Sequence, residues 1–194
     1  MNAKDRRAQH KAELRDTILA AARDIFIRDD EGRISMRQLA EKIEYSPGTI
    51  YLHFRSKEAL LNALVEESFA KLSNALRKTR RVDPLETLHL GLKAYVIFGL
   101  RHPNHYHFAF MRTLAPRPYR PHDAFEYLRE CVRRCIEAGR FRNVDEETAA
   151  QVLWAGVHGL TALLIARPSF PWVRRDALIE EMIGNSIRGL LVRT

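Results

Sequence analysis

Apolar residues recur every three or four positions along nearly the whole chain, which is the spacing that brings side chains to one face of an α-helix. The sequence contains neither strand-like alternation of apolar and polar residues nor an internal repeat. It therefore predicts an all-α fold. Proline, glycine and acidic residues interrupt the pattern and delimit predicted helices at about 11–28, 57–79, 84–101, 104–114, 124–138, 145–164 and 174–192.

Between the first two of these helices lies the stretch 35–57, in which two short helices each have their own start signal. Ser35 and Gln38 have the spacing of a capping box, and Ser46 followed by Pro47 is typical of an N-cap and a first helical residue. Two helices of one or two turns, joined tightly and packed on a longer helix, form a helix-turn-helix motif, whose second helix enters the DNA major groove. The stretch therefore predicts such a motif.

The second short helix carries small and hydrogen-bonding side chains on a segment too short to be needed for a core: Gly48, Thr49, Tyr51 and His53. A surface helical hairpin that only packs is the alternative interpretation. The order of residues adds more, because PGTIYLHFRSKEALL at 47–61 closely resembles the recognition region of the TetR family of transcriptional repressors. The resemblance extends over about 14–64.

This resemblance implies an N-terminal three-helix helix-turn-helix head followed by a larger helical ligand-binding and dimerisation domain. We place the N-terminal arm and head at 1–57 and the second domain at 58–194, with the linking helix continuing to about 79, and we interpret 1–10 as a flexible arm. The head is then expected to bind a palindromic operator in double-stranded DNA. The residues expected to contact the operator are Ser35, Arg37, Pro47, Gly48, Thr49, Tyr51, Leu52, His53 and Lys57.

The last two helices, within 145–194, carry broad apolar stripes and small residues that permit close helix approach. In TetR-like repressors the last two long helices pair with those of a second subunit in a four-helix bundle. An isologous two-fold interface is the commonest way to cover such a surface, and a core within one chain is the alternative. The resemblance thus implies a homodimer, with an interface at Val152, Gly156, Leu160, Leu163, Ile183, Ile187 and Leu190.

A cavity for a small molecule needs apolar walls and a few convergent polar groups. Aromatic, sulfur and imidazole side chains are frequent between about 84 and 138, where prolines interrupt the helices, and Trp154 and His158 follow in a W-x-x-x-H segment. Ordinary core packing is the alternative for each of them. We expect a hydrophobic small-molecule inducer to contact Tyr95, Phe98, His102, Phe108, Met111, Tyr127, Cys131, Trp154 and His158.

Charge is distributed unevenly along this chain of 194 residues, whose formal net charge is +8. Residues 1–57 hold 12 Lys and Arg against 9 Asp and Glu, 58–144 hold 15 against 9, and 145–194 hold 5 against 6. A basic excess favours approach to a phosphate backbone, and its absence from the last segment favours a different partner there. No apolar run approaches a membrane span and no signal peptide is evident, so we expect a cytoplasmic protein without a membrane partner.

Candidate residues for catalysis or metal binding are sparse. His102, His105 and His107 form H-x-x-H-x-H near a helix break, but the sequence shows no carboxylate or thiolate at matching reach. It also shows no pair of E-x-x-H segments, no G-x-S-x-G turn and no Gly-rich phosphate loop. We therefore assign no catalytic residue, metal or cofactor. The sequence predicts a ligand-responsive repressor, with an architectural DNA-binding protein without a ligand, or a small all-α enzyme, as alternatives.

Overall fold

The computed structural model describes residues 2–28, 35–111 and 123–192, and these ranges are mainly helical. The all-α prediction is confirmed, since bridge pairing within these ranges is confined to one isolated antiparallel bridge between Phe141 and Leu191. A π-helical turn, His107–Met111, follows the sixth α-helix. The α-helices are α1 (Ala3–Arg28), α2 (Met36–Lys42), α3 (Pro47–His53), α4 (Lys57–Arg77), α5 (Pro84–Arg101), α6 (Pro103–Tyr106), α7 (Asp123–Glu137), α8 (Glu146–Ala166) and α9 (Arg175–Arg188).

The described residues form two compact units. The first contains the residues up to Ser68 together with His107–Met111, and the second contains Phe69 to Tyr106 together with 123–192. Helix α4 therefore contributes its first part to one unit and its last part to the other. The domain boundary after residue 57 stays a prediction.

In the first unit, α1, α2, α3 and the start of α4 share one hydrophobic core. Both sequence-predicted helix starts are confirmed: Ser35 Oγ accepts the Gln38 N–H at 3.2 Å while Gln38 Oε1 accepts the Ser35 N–H at 2.8 Å. Ser46 Oγ likewise accepts the Thr49 N–H at 3.2 Å. These caps set where the two short helices begin, and the core side chains then fix them against α1. The core includes Leu14, Ile18, Ala22, Leu39, Ala40, Ile50, Phe54, Leu60 and Leu64.

The prediction of a flexible N-terminal arm is wrong for the described residues, because α1 already begins at Ala3. Asn2 and Asp5 stabilise this start through two reciprocal bonds: Asp5 N–H donates to Asn2 Oδ1 at 2.8 Å, and Asn2 N–H donates to Asp5 Oδ2 at 3.2 Å. Such a reciprocal cap consists of polar groups only, so the spacing of apolar residues gives no sign of this helix start. The helix end predicted near Asp29 lies outside the described residues.

The second unit is a helical body in which α5 packs against α7, α8 and α9. Helix α5 approaches α8 closely at Gly99, where an added Cβ would collide with the Thr161 side chain and lie 2.8 Å from Cδ2 of Tyr106. A hydrogen atom is therefore the only side chain that fits at this position. Gly139, with φ +65°, provides the left-handed residue that ends α7 as predicted. The contact at Gly99 brings the end of α6 next to α8.

Two predicted helices of the second half differ from the structure. The helix predicted at 104–114 is a single α-turn ending at Tyr106 and then the π-helical turn; its remaining residues, and the proline-rich segment that follows, lie outside the described residues. Helix α9 ends at Arg188 rather than near Val192. The chain after it turns back to the end of α7, where Arg142 N–H donates to Leu190 O at 3.0 Å and Val192 N–H donates to Arg140 O at 3.2 Å.

Candidate functional site

Helix α3 presents a mixed polar and apolar face to solvent. Its residue Ile50 is fully buried in the core of the first unit, whereas the Tyr51 and Leu52 side chains are 51% and 80% exposed. Thr49 is partly exposed, with its Oγ1 2.9 Å from Ser46 Oγ. An exposed leucine beside an exposed tyrosine on so short a helix is unfavourable in water, so this face is suited to contact with a partner.

The other residues predicted to contact DNA lie on the elements next to α3. Pro47 and Gly48 are exposed at its first turn, and Ser35 is exposed at the start of α2. Arg37 is also exposed on α2, where it pairs with Glu41 at 3.2 Å. Lys57 is the first residue of α4 and is partly buried. The predicted set is thus spread over three helix starts and the exposed face of α3.

His53, at the end of α3, lies in a cationic environment. Burial lowers the pKa of its imidazole, and the positive charges of Lys11, Arg15 and His10 on α1 lower it further. Its Nδ1 atom is buried and makes no hydrogen bond among the described residues. The sequence placed His53 on the DNA-binding helix but gave no sign that α1 surrounds it with positive charge.

In the second unit, three of the predicted ligand-contacting residues lie together. Trp154 Nε1 donates to the Tyr95 hydroxyl at 3.2 Å, and that hydroxyl lies 3.2 Å from Nδ1 of His158. Tyr106, which the predicted set omits, completes the group with its hydroxyl 2.7 Å from the same nitrogen. We call Tyr95, Tyr106, Trp154 and His158 the aromatic cluster. Its members come from α5, α6 and α8, so only the tertiary contact at Gly99 reveals Tyr106 as a member.

Burial controls the protonation of the aromatic cluster. It raises the pKa of Tyr95 well above its ordinary range and that of Tyr106 to about 12, and it lowers the pKa of His158. Both phenols are therefore hydroxyls at neutral pH, and the imidazole is favoured in its neutral form. The cluster offers uncharged donors and acceptors among aromatic surfaces, which is the chemistry of a site for a largely hydrophobic molecule.

The remaining predicted ligand contacts have other surroundings. Phe98 is buried and its ring lies 5.2 Å from that of His102, which is exposed. Met111 is exposed in the π-helical turn of the first unit, and the Phe108 side chain lies outside the part of the chain that the structure describes. Tyr127 lines a surface cavity of about 620 Å³ whose walls are mostly charged and which the aromatic cluster does not border. Cys131 is buried beside it, and burial raises the pKa of its thiol to about 11.

The predicted dimer residues divide into a buried and an exposed set. Leu160, Ile183 and Ile187 are buried within the second unit, because α8 and α9 pack on each other and on α5. These three side chains thus pack in a core within one chain, which is the alternative given by the sequence, and their part in a dimer interface stays a prediction. Gly156 and Leu190 are partly buried, and an added Cβ at Gly156 would lie 3.6 Å from the Met182 sulfur. The exposed members are Val152 and Leu163, at 61% and 52%.

By length and composition alone, α8 is apolar enough to cross a membrane. The prediction that no apolar run approaches that length is therefore wrong for this helix. Its inner face, with Leu153, Val157 and Leu164, is buried among the other helices of the second unit. This is the arrangement of a core helix, and it leaves the exposed apolar residues of the outer face to be explained.

The H-x-x-H-x-H segment at His102, His105 and His107 does not present its imidazoles as a set of metal ligands. His105 is buried, and its Nε2 lies 3.0 Å from the Lys71 ammonium, which is a donor and occupies the nitrogen lone pair. The described ranges contain no group of three or more His, Cys, Asp or Glu residues placed to hold a metal ion.

Known protein families match both the N-terminal and the C-terminal part of the chain. The family model for bacterial regulatory proteins of the tetR family matches residues 18–64, and the tetracyclin repressor-like C-terminal domain matches residues 88–185. Among curated relatives, the HTH-type transcriptional regulator UidR of Escherichia coli (strain K12) is 39% identical over 75 residues, which are 39% of this chain and 36% of UidR. The match thus spans about a third of the length of that relative.

Solved structures agree over nearly the whole chain. A protein of unknown function from Rhodococcus sp. RHA1 superposes with a TM-score of 0.80 at 26% identity, covering 92% of this chain and 96% of that one. The TetR family transcriptional regulator PfmR from Thermus thermophilus superposes with a TM-score of 0.71 at 23% identity, covering 88% and 97%. The predicted resemblance is confirmed. The chain belongs to the TetR family of bacterial transcriptional regulators, which are DNA-binding helix-turn-helix proteins and not enzymes.

Proposed function

We propose that this protein is a cytoplasmic repressor that binds a palindromic operator as a homodimer and leaves it when a small hydrophobic molecule binds the second unit. The observation that carries the proposal is the exposed face of α3, where Tyr51 and Leu52 have no role in the core of the first unit. Its caps and Ile50 fix α3 on the first unit and leave its other face in solvent. Such a helix is suited to entering the major groove.

The outer face of α8 supports the dimer. Val152, Gly159 and Leu163 follow one another at helical spacing, two of them are large exposed apolar residues, and an added Cβ at Gly159 would meet nothing within 4 Å. A stripe of this kind on a helix that is otherwise part of a core is suited to close packing against a copy of itself. Two copies would then present two recognition helices to two half-sites.

The aromatic cluster supports the effector. Its polar atoms are few and uncharged, and they bond mainly to one another, through Trp154 to Tyr95 and through Tyr106 to His158. An aromatic or acyl molecule with one or two hydrogen-bonding groups could replace these hydrogen bonds within the cluster by hydrogen bonds to itself. Tyr106 is the last residue of α6 before the π-helical turn that belongs to the first unit. A shift of Tyr106 would therefore also move the π-helical turn that directly follows it in the chain.

The proposal requires DNA and ligand to oppose each other. If the ligand weakens operator binding by a given factor, the operator must weaken ligand binding by the same factor. To move operators from mostly bound to mostly free, the ligand must distinguish two conformations by about 5 kcal/mol.

The test begins with selection of bound duplexes from a random DNA pool, followed by light scattering of the complex and a thermal-shift screen with aromatic and acyl compounds. The expected result is a two-fold symmetric consensus, a dimer, and a compound that both raises the melting temperature and releases the duplex. Stabilising compounds that never release the duplex would contradict the proposed coupling. A protein that binds DNA but no compound would instead be the architectural alternative.

A further inference from the structure

The first two turns of α1 and the end of α3 border a surface groove of about 540 Å³. One wall carries Thr49, Leu52 and His53 of α3. The opposite wall carries four cationic or imidazole side chains at positions i, i+1, i+4 and i+5 of α1, which share one side of a helix. All four are exposed: Arg6, Arg7, His10 and Lys11. The groove thus sets a row of positive charge beside the helix that meets DNA.

The positive charge of this wall is not used within the first unit. Among the described residues Arg6, Arg7 and Lys11 form no ion pair, and the nearby carboxylate of Asp5 accepts the backbone N–H of Asn2. Like charges held on one helix face repel one another. An anion in the groove would relieve that repulsion.

His53 adds a directed hydrogen-bond donor to the same groove. Its Nδ1 atom is buried and unbonded among the described residues, so a proton on that nitrogen would leave a buried N–H without an acceptor. The favoured neutral tautomer carries its proton on Nε2. Arg15, whose guanidinium lies 5.1 Å from the centre of the Phe54 ring, adds to the positive charge that acts on the imidazole. The ring is therefore a donor in a cationic setting.

We propose that this groove is a seat for one backbone phosphate of DNA, in which Arg6, Arg7 and Lys11 supply charge and His53 donates a hydrogen bond. The inference rests on the proposed DNA-binding function and extends its contact surface from α2, α3 and the start of α4 to α1. A phosphodiester oxygen accepts such bonds strongly, and a phosphate held between α1 and α3 fixes the angle at which α3 enters the groove.

His53 should keep a single proton in this arrangement. In the free protein Lys11, Arg15 and His10 of α1 disfavour a charge on its imidazole. A second proton would have to occupy the buried Nδ1, which has no acceptor among the described residues. His53 should therefore donate to the phosphate as a neutral ring, and the charge that the phosphate meets comes from Arg6, Arg7 and Lys11.

The first test measures fluorescence anisotropy of a duplex recovered by selection, titrated with full-length protein over a series of salt concentrations. Arg7→Ala and Lys11→Ala should each weaken binding and lower the slope of log K against log salt by about one. Arg175→Ala, which removes one positive charge from the first turn of α9 in the other unit, is the matched control and should keep the wild-type slope. Circular dichroism confirms that each variant is folded.

The second test separates the hydrogen bond of His53 from the charge of α1, at about pH 8 where histidine is neutral. His53→Ala, which removes the donor, should weaken operator binding and keep the wild-type salt slope, and His53→Gln, which keeps a side-chain N–H donor, should bind more tightly than His53→Ala. Wild-type salt slopes in Arg7→Ala and Lys11→Ala, or wild-type affinity in His53→Ala, would overturn the phosphate seat while leaving the DNA-binding function intact. Failure of the wild type to bind any selected duplex would instead overturn the proposed function itself.

Discussion

The hydroxyl of Tyr106 lies 2.7 Å from Nδ1 of His158 and 3.2 Å from the carbonyl oxygen of the same residue. The two rings are stacked, with centroids 5.6 Å apart and planes inclined by 23°. The Tyr95 hydroxyl accepts from Trp154 and donates to the Tyr106 hydroxyl at 3.4 Å, and Tyr106 makes the shorter of the two hydroxyl contacts to Nδ1. This pair ties the end of α6 to the middle of α8, and it is the contact that an effector in the aromatic cluster would have to compete with.

Removal of the Tyr106 hydroxyl should destabilise the protein. Tyr106→Phe removes the shorter of the two hydroxyl contacts to His158 Nδ1 and leaves the Tyr95 hydroxyl, at 3.2 Å, as its partner, so we expect a loss of about 0.5–1.5 kcal/mol in the free energy of unfolding. Urea denaturation followed by circular dichroism measures it. Tyr45→Phe, at an exposed tyrosine, is the control and should change stability by less than about 0.5 kcal/mol. Equal stability of the two variants would show that the short contact contributes nothing.

Stability should depend on pH through His158. Its pKa is lowered in the folded protein, so the unfolded chain, whose histidine has an ordinary pKa near 6.5, binds the proton more tightly. The contribution of the neutral imidazole is complete above about pH 6.5 and is lost as the pH falls through the lowered value. His158→Gln should therefore reduce the difference between urea midpoints at about pH 7.5 and about pH 5.5. Aspartate and glutamate act in a lower window, since the pKa values of Asp145 and Glu180 are themselves lowered.

Substitutions at residues predicted to contact phosphates and at residues predicted to contact bases should affect operator binding differently. Lys57→Ala should weaken binding to all duplexes alike and reduce the salt slope by about one, because a lysine at a helix start is placed for a phosphate. Thr49→Val should alter sequence preference by about 1–3 kcal/mol at one base position, since it removes a hydroxyl from the exposed face of α3. Mobility-shift titrations of selected and mismatched duplexes distinguish the two. Unchanged operator binding in both variants and in Tyr51→Ala would show that α3 is not the reading helix.

Charge on the outer face of α8 should yield monomers. Val152→Arg and Leu163→Arg place an unpaired cation in the proposed apolar interface, and light scattering should report the mass of one chain. Val82→Arg makes the same kind of change at a residue that is 98% exposed outside α8, and should leave the dimer intact. Leu160→Arg is expected to unfold the protein, since Leu160 is buried in its own chain. A monomeric wild type would remove the interface.

Tryptophan fluorescence should report occupancy of the aromatic cluster. The chain has two tryptophans, and Trp172→Phe leaves Trp154 as the only one. A compound bound at the cluster should change the emission of Trp154 with the same midpoint as its release of the operator. The isolated change Trp154→Phe, which deletes the donor to Tyr95, should alter compound affinity and spare operator affinity. A compound that releases DNA without any change in Trp154 emission binds elsewhere.

Local chemistry determined the elements whose signals are contained in a few neighbouring residues. The capping box at Ser35, the N-cap at Ser46 and the left-handed end of α7 at Gly139 all depend on bonds or backbone angles within about four positions, and each was predicted from the sequence. The helical class follows from local apolar periodicity, and the assignment of α3 as the recognition helix is what the resemblance of residues 47–61 implies. The α1 start at Asn2 and Asp5 was missed, although it is equally local, because its signal is polar.

Tertiary structure decided which apolar residues face the core and which face solvent. Periodicity in the sequence identifies the apolar face of a helix, but it does not identify the element that packs against that face. Ile183 and Val152 both lie at apolar positions of amphipathic helices, yet one is fully buried and the other is 61% exposed. It also decided membership of the aromatic cluster: Tyr106 and His158 are 52 positions apart, and Gly99 allows the close helix approach that brings them together. The sequence alone determined the fold class and the family, and it located the two short helices of the helix-turn-helix motif, since those depend on short-range order. The composition of the cluster and of the free face of α8 depends on contacts between distant helices, which only the folded chain makes.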